Sequence, residues 1–259
     1  MQTLQTLQTL QPPLSWYYMW SPKFEVFHRI IQSTFTDKDV QLHPIYLDQS
    51  HFDKELYKAK GQHHWSGCVL KLDLLLERMR LTEHKDTYIV FSDADIYARP
   101  GIGAKLNEYI KEGKDMYFLQ ETFTDARANI GLNLLKCTEE VCKFWEGVRA
   151  EVLRDGTHDQ LITNEHLKTT SLSWKLLDQS CLNSNMMNHS NKDTFLYCQM
   201  LCTCRGYELD MAEKLFGYFR LFSLEPYLAF IPPPVQACLA KMYEAFKLPI
   251  PSYIIYRFG

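Results

Sequence analysis

The protein has 259 residues, of which 46% are hydrophobic and 23% charged, and its net charge is −3. These values are typical of an enzyme made of one large α/β domain, with or without an appended segment. The small negative charge gives no reason to expect a nucleic acid partner. The amino terminus lacks the charged and apolar regions of a secretory signal, and no apolar run reaches the length of about 18 residues that spans a membrane. We therefore expect a cytoplasmic protein without a transmembrane segment.

The eight cysteines also favour a reducing compartment. Cys198, Cys202 and Cys204 are close enough in sequence to hold zinc, but they lack the paired C-x-x-C spacing of a structural zinc site. Reduced thiols are the favoured interpretation.

The chain begins with a repeated Gln-Thr-Leu triplet that ends at Pro12-Pro13, which predicts a flexible low-complexity tail over residues 1–13. Hydrophobic periodicity then predicts alternating strands and helices. Their predicted order is strand 16–20, helix 23–33, strand 40–47, a polar loop 51–65, helix 69–79 and a strand that begins at residue 88. Strands and helices that alternate at short spacing are typical of a doubly wound, mostly parallel sheet.

The second half of the chain continues this alternation and then becomes helical. Thr138 is placed to cap a helix that Gly156 ends. The other predicted elements are helix 105–111, strands 116–120 and 129–136, a helix from 157 to 166, strand 174–177, and helices 211–224 and 235–247. The change in character near residue 200 predicts a main domain over residues 14–200 and a C-terminal helical extension over residues 201–259.

Two aspartates, Asp93 and Asp95, follow an apolar run that begins at Tyr88 and is rich in β-branched and aromatic residues. Such a run predicts a strand buried on both faces. Ligands of open α/β sheets bind beyond the carboxyl ends of the strands, and an unpaired carboxylate buried there is costly. Two carboxylates one residue apart therefore suggest Mg²⁺ or Mn²⁺ shared with a substrate phosphate. The structural alternative is a turn in which the carboxylates cap backbone N–H groups.

The order of this and later motifs resembles that of metal-dependent glycosyltransferases of the A-type fold. The resemblance is to the nucleotide-diphospho-sugar transferase family, which includes plant and algal cell-wall enzymes and related viral enzymes, and it spans about residues 15–195. The motifs that carry it are Phe91-Ser92-Asp93-Ala94-Asp95-Ile96 with Pro100, Asn129-Ile130-Gly131, Asp159-Gln160 with Asn164, Trp174, Leu177-Asp178 and His189-Ser190-Asn191. The H-x-x-G-x-x-K-P-W ending of glycogenin-like relatives is absent.

This resemblance implies an α/β fold with one Rossmann-like nucleotide-sugar-binding domain, a mixed and mostly parallel sheet, and a C-terminal helical appendage. It implies transfer of a sugar from a nucleotide-diphosphate sugar, expected to be a UDP-sugar, to a hydroxyl group of a glycan or glycoprotein. The resemblance favours retention of configuration. The sugar and the acceptor depend on the shape of the pocket.

The same resemblance assigns a metal site. Asp95 would bind Mn²⁺ or Mg²⁺ directly, and Asp93 would hold the ion through water or bind the ribose hydroxyls. A cation bound to the diphosphate neutralises the charge of the leaving group. His189 would supply a third ligand, since an imidazole binds Mn²⁺ well. Without the resemblance, His189 is interpreted as a histidine of a surface loop.

The remaining implied site residues surround the donor sugar. Asp159 and Gln160 would be catalytic residues that line the sugar pocket, whereas the structural interpretation of Asp159 is a helix cap. The residues implied in donor binding are Lys71, Asp93, Ala94, Asp95, Asn129 and Gly131. Gly131 would let the backbone approach the donor or would form a bulge within a strand. Lys71 would either reach the diphosphate or occupy a solvated helix position.

Two other functions use parts of the same pattern. Haloacid-dehalogenase phosphatases also place D-x-D after an apolar strand, but their motif opens the domain and is followed by Thr or Val, whereas Ile96-Tyr97 follows here. A catalytically inactive sugar-binding protein could keep the fold without the reaction. The complete set of motifs favours the transferase.

Overall fold

The computed structural model describes residues 12–57, 67–121, 125–178, 207–218 and 223–250, and the backbone of residues 196–198. The tail over residues 1–11, His189, and the side chains of Cys198, Cys202 and Cys204 lie outside this part of the chain. Predictions about those residues therefore stay predictions.

The described elements follow the predicted alternation closely. The strands are β1 (Leu14–Trp20), β2 (Val40–Tyr46), β3 (Tyr88–Ser92), β4 (Ile96–Ala98), β5 (Met116–Gln120), β6 (Ala128–Lys136), β7 (Trp174–Leu176) and β8 (Leu196–Cys198). The helices are α1 (Glu25–Thr34), α2 (Gln49–Phe52), α3 (Cys68–Met79), α4 (Ile102–Glu112), α5 (Glu139–Asp155), α6 (Asp159–Leu167), α7 (Tyr207–Tyr218) and α8 (Pro233–Ala245).

Six of the strands form one mixed sheet in the order β2-β1-β3-β6-β5-β7. Strand β1 is parallel to β2 and β3, and β5 is parallel to β7, whereas β6 is antiparallel to both β3 and β5. Strand β6 thus runs against the other five. Its amino end lies beside the carboxyl ends of β3 and β5, where ligand sites of α/β proteins form.

Helices cover both faces of this sheet. Alternate residues of β3 point to opposite faces, with Val90 in one apolar core and Ile89 and Phe91 in the other. Helices α1, α4, α7 and α8 supply residues to the first core, and α3, α5 and α6 supply residues to the second. The predicted α/β fold with a mixed, mostly parallel sheet is confirmed, and the C-terminal helical region is present.

The segment predicted as a loop over residues 51–65 is in part helical, so this prediction is wrong for its first residues. Helix α2 covers Gln49–Phe52, and a turn of 3₁₀ helix covers Glu55–Tyr57. The backbone N–H of Asp48 donates to His51 Nδ1 over 3.3 Å, so local side-chain contacts begin the helix. Hydrophobic periodicity does not report such contacts, since these residues are polar.

Helix α5 has the predicted ends. The Thr138 hydroxyl accepts a hydrogen bond from the N–H of Val141 at the first turn. Gly156 closes the helix with a positive φ of 62°, a conformation that glycine adopts without steric cost. No helix within the described ranges combines the length and the apolar character needed to cross a membrane.

We expect Leu215→Ala to lower the free energy of unfolding by about 2–5 kcal/mol, the cost of truncating a buried leucine. Leu215 lies on α7, is fully buried, and belongs to the same apolar core as β3 residue Val90. The matched control is Leu161→Ala, because Leu161 is 48% exposed. Urea unfolding measures both variants. A loss for Leu215→Ala no larger than that of the control would contradict the packing of α7 onto the sheet.

Candidate functional site

A cleft of about 680 Å³ opens at the carboxyl ends of β1, β2, β3 and β5. The lining residues from the ends of β1 and β2 and from α2, among them Trp20, Leu47 and Phe52, are mainly apolar or aromatic and form the apolar wall. The charged and amide residues from α3, β6, α6 and the end of β3 form the polar wall. The polar and charged residues that line the cleft include Lys71, Asp93, Asp95, Glu121, Asn129, His158, Asp159, Gln160, Asp210 and Lys214. A cleft with one apolar wall and convergent polar groups is typical of a small-molecule site.

At the centre of the polar wall, Lys71 of α3 forms an ion pair with Asp93. Its Nζ donates to Asp93 Oδ1 over 2.7 Å and to the Ile130 carbonyl over 3.0 Å. Lys71 is only 7% exposed, so the solvated alternative for this residue is wrong. The Asp93 side chain is 38% exposed, and it lines the cleft. Lys71 therefore fixes one carboxylate of the D-x-D beside the space where a ligand would bind.

The charges around Lys71 shift two pKa values. Burial alone would lower the pKa of Lys71, but the carboxylates of Asp93 and Asp159 outweigh it and raise this pKa above its ordinary value. Burial raises the pKa of Asp93, Lys71 lowers it, and the neighbouring Asp95 raises it again, with a net increase. Both shifts have the direction expected where carboxylates outnumber cationic groups.

The second aspartate of the motif is held by the C-terminal helix α7. Asp95 is 6% exposed, and its Oδ2 receives a hydrogen bond from the Lys214 ammonium. The Tyr218 hydroxyl, one turn further along α7, donates to the Asp95 carbonyl. Ala94, between the two aspartates, is 5% exposed and contributes to the cleft. The D-x-D is therefore fixed from two sides, by α3 and by α7.

The reversed strand β6 brings its first residues to the D-x-D. The N–H of Asp93 donates to the Gly131 carbonyl over 2.8 Å, and the Asn129 Oδ1 accepts from the Gly131 N–H over the same distance. Asn164 of α6 bonds both backbone groups of Ala128, which fixes the start of this strand. Asn129 and Gly131 thus line the cleft from a rigid strand rather than from a loop.

Glu121, which follows β5 directly, orients two amide side chains. Its Oε2 accepts from Asn129 Nδ2 over 2.9 Å and from Gln160 Nε2 over 2.8 Å. Gln160 Oε1 in turn accepts from the Ile130 N–H over 3.3 Å. Since a carboxylate only accepts hydrogen bonds, it sets which amide atom points to it. Sequence reasoning missed Glu121, although a charged residue directly after a buried strand is the signal that selected Asp93.

Asp159 is the first residue of α6 and is 4% exposed. The N-cap of this helix is His158, whose Nδ1 accepts from the Gln160 N–H over 3.2 Å. Asp159 Oδ1 accepts from the same N–H over 3.0 Å. The capping alternative for Asp159 is thus correct in part, but Asp159 shares this role with His158 and also faces Lys71.

Asp178, which could bind hydroxyl groups or simply end its strand, pairs with Lys105 over 3.0 Å and is not part of this cleft. The residues implied in catalysis, donor binding and metal binding that lie within the described ranges all line it. They are Lys71, Asp93, Ala94, Asp95, Asn129, Gly131, Asp159 and Gln160. The predicted metal ligand His189 lies outside the described residues. Among the residues that are described, no group of three or more His, Cys, Asp and Glu side chains is arranged to hold a metal ion. The described chain therefore offers two adjacent carboxylates, Asp93 and Asp95, for such an ion.

Lys214, like Glu121, is a charged residue of the cleft that sequence reasoning missed. It is separated from Asp95 by 119 residues and lies in a helix whose pattern indicates only an apolar face. No local signal in the sequence connects the two residues. Only the packing of α7 brings them together.

The fold of this chain is found in solved structures, although no protein-family model matches the sequence and no curated protein matches it. A glycosyltransferase involved in the glycosylation of the major capsid of PBCV-1 aligns with 74% of this chain and 97% of its own, with 9% identity and a TM-score of 0.53. The glycosyltransferase GlyE of Streptococcus pneumoniae TIGR4 aligns with 93% of this chain and 66% of its own, with 9% identity and a TM-score of 0.51. At this identity, the likeness establishes a shared fold.

We expect Lys71→Met to lower the free energy of unfolding at pH 7 by about 1–3 kcal/mol, because it leaves the Asp93 carboxylate without its partner. In the wild type the raised pKa of Lys71 keeps its ammonium charged at this pH, and the stabilisation that this group contributes is lost only at strongly alkaline pH. In the variant, the folded state raises the carboxylate pKa further and takes up protons more readily than the unfolded chain. The loss of unfolding free energy in Lys71→Met, relative to the wild type, should therefore become smaller as the pH is lowered from 7 to 5.

Urea unfolding at the two pH values measures this difference. Lys143→Met is the control, because Lys143 and its partner Glu139 are both largely exposed and such surface pairs contribute at most about 1 kcal/mol. A deficit for Lys71→Met that is the same at both pH values would show that the carboxylates do not depend on Lys71.

Proposed function

We propose that the protein is a glycosyltransferase that moves a sugar from a nucleotide-diphosphate sugar to a hydroxyl group of a glycan or glycoprotein. The observation that carries this proposal is the convergence, in one cleft, of the D-x-D, the buried Lys71, the amino end of β6 and the Asp159-Gln160 pair. The fold shared with two glycosyltransferase structures supports it. We propose a UDP-sugar as donor.

The charge balance of the cleft favours a divalent cation as cofactor. Acidic side chains outnumber basic ones in the lining: Asp93, Asp95, Glu121, Asp159 and Asp210 are acidic, and Lys71 and Lys214 are basic. A diphosphate would add further negative charge, and carboxylate oxygens are ligands that suit Mg²⁺ and Mn²⁺. We propose that Asp93 and Asp95 hold the ion and that His189 adds a ligand. An ion held there would neutralise charge on the leaving diphosphate.

The apolar wall would bind the nucleobase of the donor, and the polar wall would bind its diphosphate and sugar. Trp20 and Leu47 offer a flat apolar surface for the nucleobase. One face of the Trp20 ring is covered by His28, with ring centroids 3.9 Å apart and planes at 3°, which holds the indole in place. The diphosphate then lies near the D-x-D, within reach of the ammonium group of Lys71. The sugar lies beyond it, against Asn129, Asp159 and Gln160.

The sugar end of the cleft supplies the chemistry of the transfer. The Asp159 carboxylate is buried, lines the cleft and interacts electrostatically with Lys71 and Asp93, and we propose that it stabilises the positive charge that develops on the anomeric carbon. Gln160 and Asn129 are positioned by Glu121 to bond sugar hydroxyl groups. Since these side chains are fixed before the donor binds, they need no reorganisation in the transition state.

Hydrolysis of a panel of nucleotide sugars, with and without Mn²⁺, tests the activity. A transferase hydrolyses one nucleotide sugar slowly in the presence of the ion, even without acceptor. A phosphatase would instead release phosphate from phosphomonoesters, and an inactive binding protein would do neither. Either of the last two outcomes refutes the proposal.

We expect Asp93→Asn to weaken Mn²⁺-dependent donor binding by at least about 10-fold, the order of effect found when a metal site is disturbed. Calorimetry with UDP and Mn²⁺ measures the loss. The control is Asp39→Asn, because Asp39 is exposed and precedes β2 at the opposite edge of the sheet. Unchanged affinity in Asp93→Asn would remove this aspartate from the donor site.

We expect Asp159→Asn to reduce turnover by about 100-fold or more, as is usual when a positioned catalytic carboxylate is removed, with donor affinity preserved. Asparagine keeps the shape and the capping oxygen, so a purely capping aspartate would lose no more than about 1 kcal/mol of stability and little turnover. Asp155→Asn, at the exposed end of α5, is the control. Melting temperature and transfer rate, measured on both variants, separate the two roles.

A further inference from the structure

The ion pair between Lys214 and Asp95 occupies one carboxylate of the proposed cation site. The D-x-D is the proposed cation site, yet each of its carboxylates already has an ammonium partner: Lys71 for Asp93 and Lys214 for Asp95. The side chains of Lys214 and Asp95 are 13% and 9% exposed, so water screens this second pair poorly. The Lys214 ammonium in contact with Asp95 Oδ2 opposes direct binding of a divalent cation to this carboxylate, because like charges repel at that distance.

The two lysines are not equivalent. Lys71 is held by two acceptors, Asp93 Oδ1 and the Ile130 carbonyl, and it lies within α3 at the base of the cleft. Lys214 lies on α7, lines the cleft and contacts Asp95, and its long side chain can turn while the helix stays in place. The helix itself is anchored beside the motif by the hydrogen bond from Tyr218 to the Asp95 carbonyl. Lys214 is the partner of the aspartate expected to bind the ion directly, so Lys214 is the lysine that the ion would displace.

We propose that Lys214 is a built-in counter-ion that holds Asp95 while no divalent cation is bound, and that the cation must displace it. This inference rests on the proposed function, because it concerns the same site. Once displaced, the ammonium remains in a cleft that receives a diphosphate, and the phosphate oxygens can accept charge-assisted hydrogen bonds from it. Nucleotide and cation then each favour the displaced position of Lys214. Their binding is positively coupled through this one side chain, and a cation alone binds weakly.

The test is a calorimetric titration of Mn²⁺ alone, and of Mn²⁺ in the presence of saturating UDP, into the full-length protein and its variants. Lys214→Met removes the ammonium at similar side-chain length. We expect it to bind Mn²⁺ alone at least about 10-fold more tightly than the wild type, the scale on which neighbours of metal ligands alter affinity. The factor by which UDP tightens Mn²⁺ binding should fall in the variant. Lys241→Met, at an exposed position of α8, should change neither quantity.

A second neutral variant, Lys214→Gln, keeps a hydrogen-bond donor for Asp95 and guards against a failure of Lys214→Met to fold. It should also bind Mn²⁺ alone more tightly than the wild type. Unchanged or weaker Mn²⁺ affinity in the folded neutral variants overturns the inference, as does a lack of Mn²⁺ binding by every protein in the series.

Failure of the proposed function has a separate readout. If the wild type hydrolyses no nucleotide sugar, the transferase proposal is wrong. The Mn²⁺ titrations still decide the role of Lys214, since they need no turnover.

Discussion

The reversed direction of β6 is the constraint on which the site depends. Because β6 runs against the other five strands of its sheet, its first residues lie beside the ends of β3 and β5. The Gly131 carbonyl then accepts from the N–H of Asp93, and Asn129 meets Glu121. If every strand were parallel, the first residues of β6 would lie beside the amino ends of β3 and β5, away from the cleft. The direction of β6 therefore determines which polar residues come together in the cleft.

Buried charge is the second feature that organises the cleft. Carboxylates removed from water require cationic or hydrogen-bonded partners, and this protein supplies lysines from two distant helices, α3 and α7. These ion pairs offset part of the cost of burying the carboxylates. Carboxylates still outnumber cationic groups in the lining of the cleft. The groups that satisfy one another's charge are thus also groups that face the cleft.

The C-terminal helices have a part in this arrangement that their sequence does not suggest. Residues of α7 and α8 belong to the same apolar core as Val90 of β3, and two polar side chains of α7 contact Asp95. Movement of α7 would therefore alter the D-x-D directly. In this protein the C-terminal helical region contributes to the site as well as to the stability of the sheet.

The amino-acid sequence by itself determined the alternation of strands and helices, the ends of α5 and the choice of Asp93, because periodicity, capping residues and charges after buried strands are local signals. Asn129 and Asp159 were selected by the order of motifs that resembles a known family. The tertiary structure alone decided the burial of Lys71, the role of Glu121 and the contact of Lys214 with Asp95. These depend on which strand is reversed and which helix crosses the sheet. Contacts over 119 residues of separation leave no local pattern, since they are selected by packing and not by neighbours in the chain.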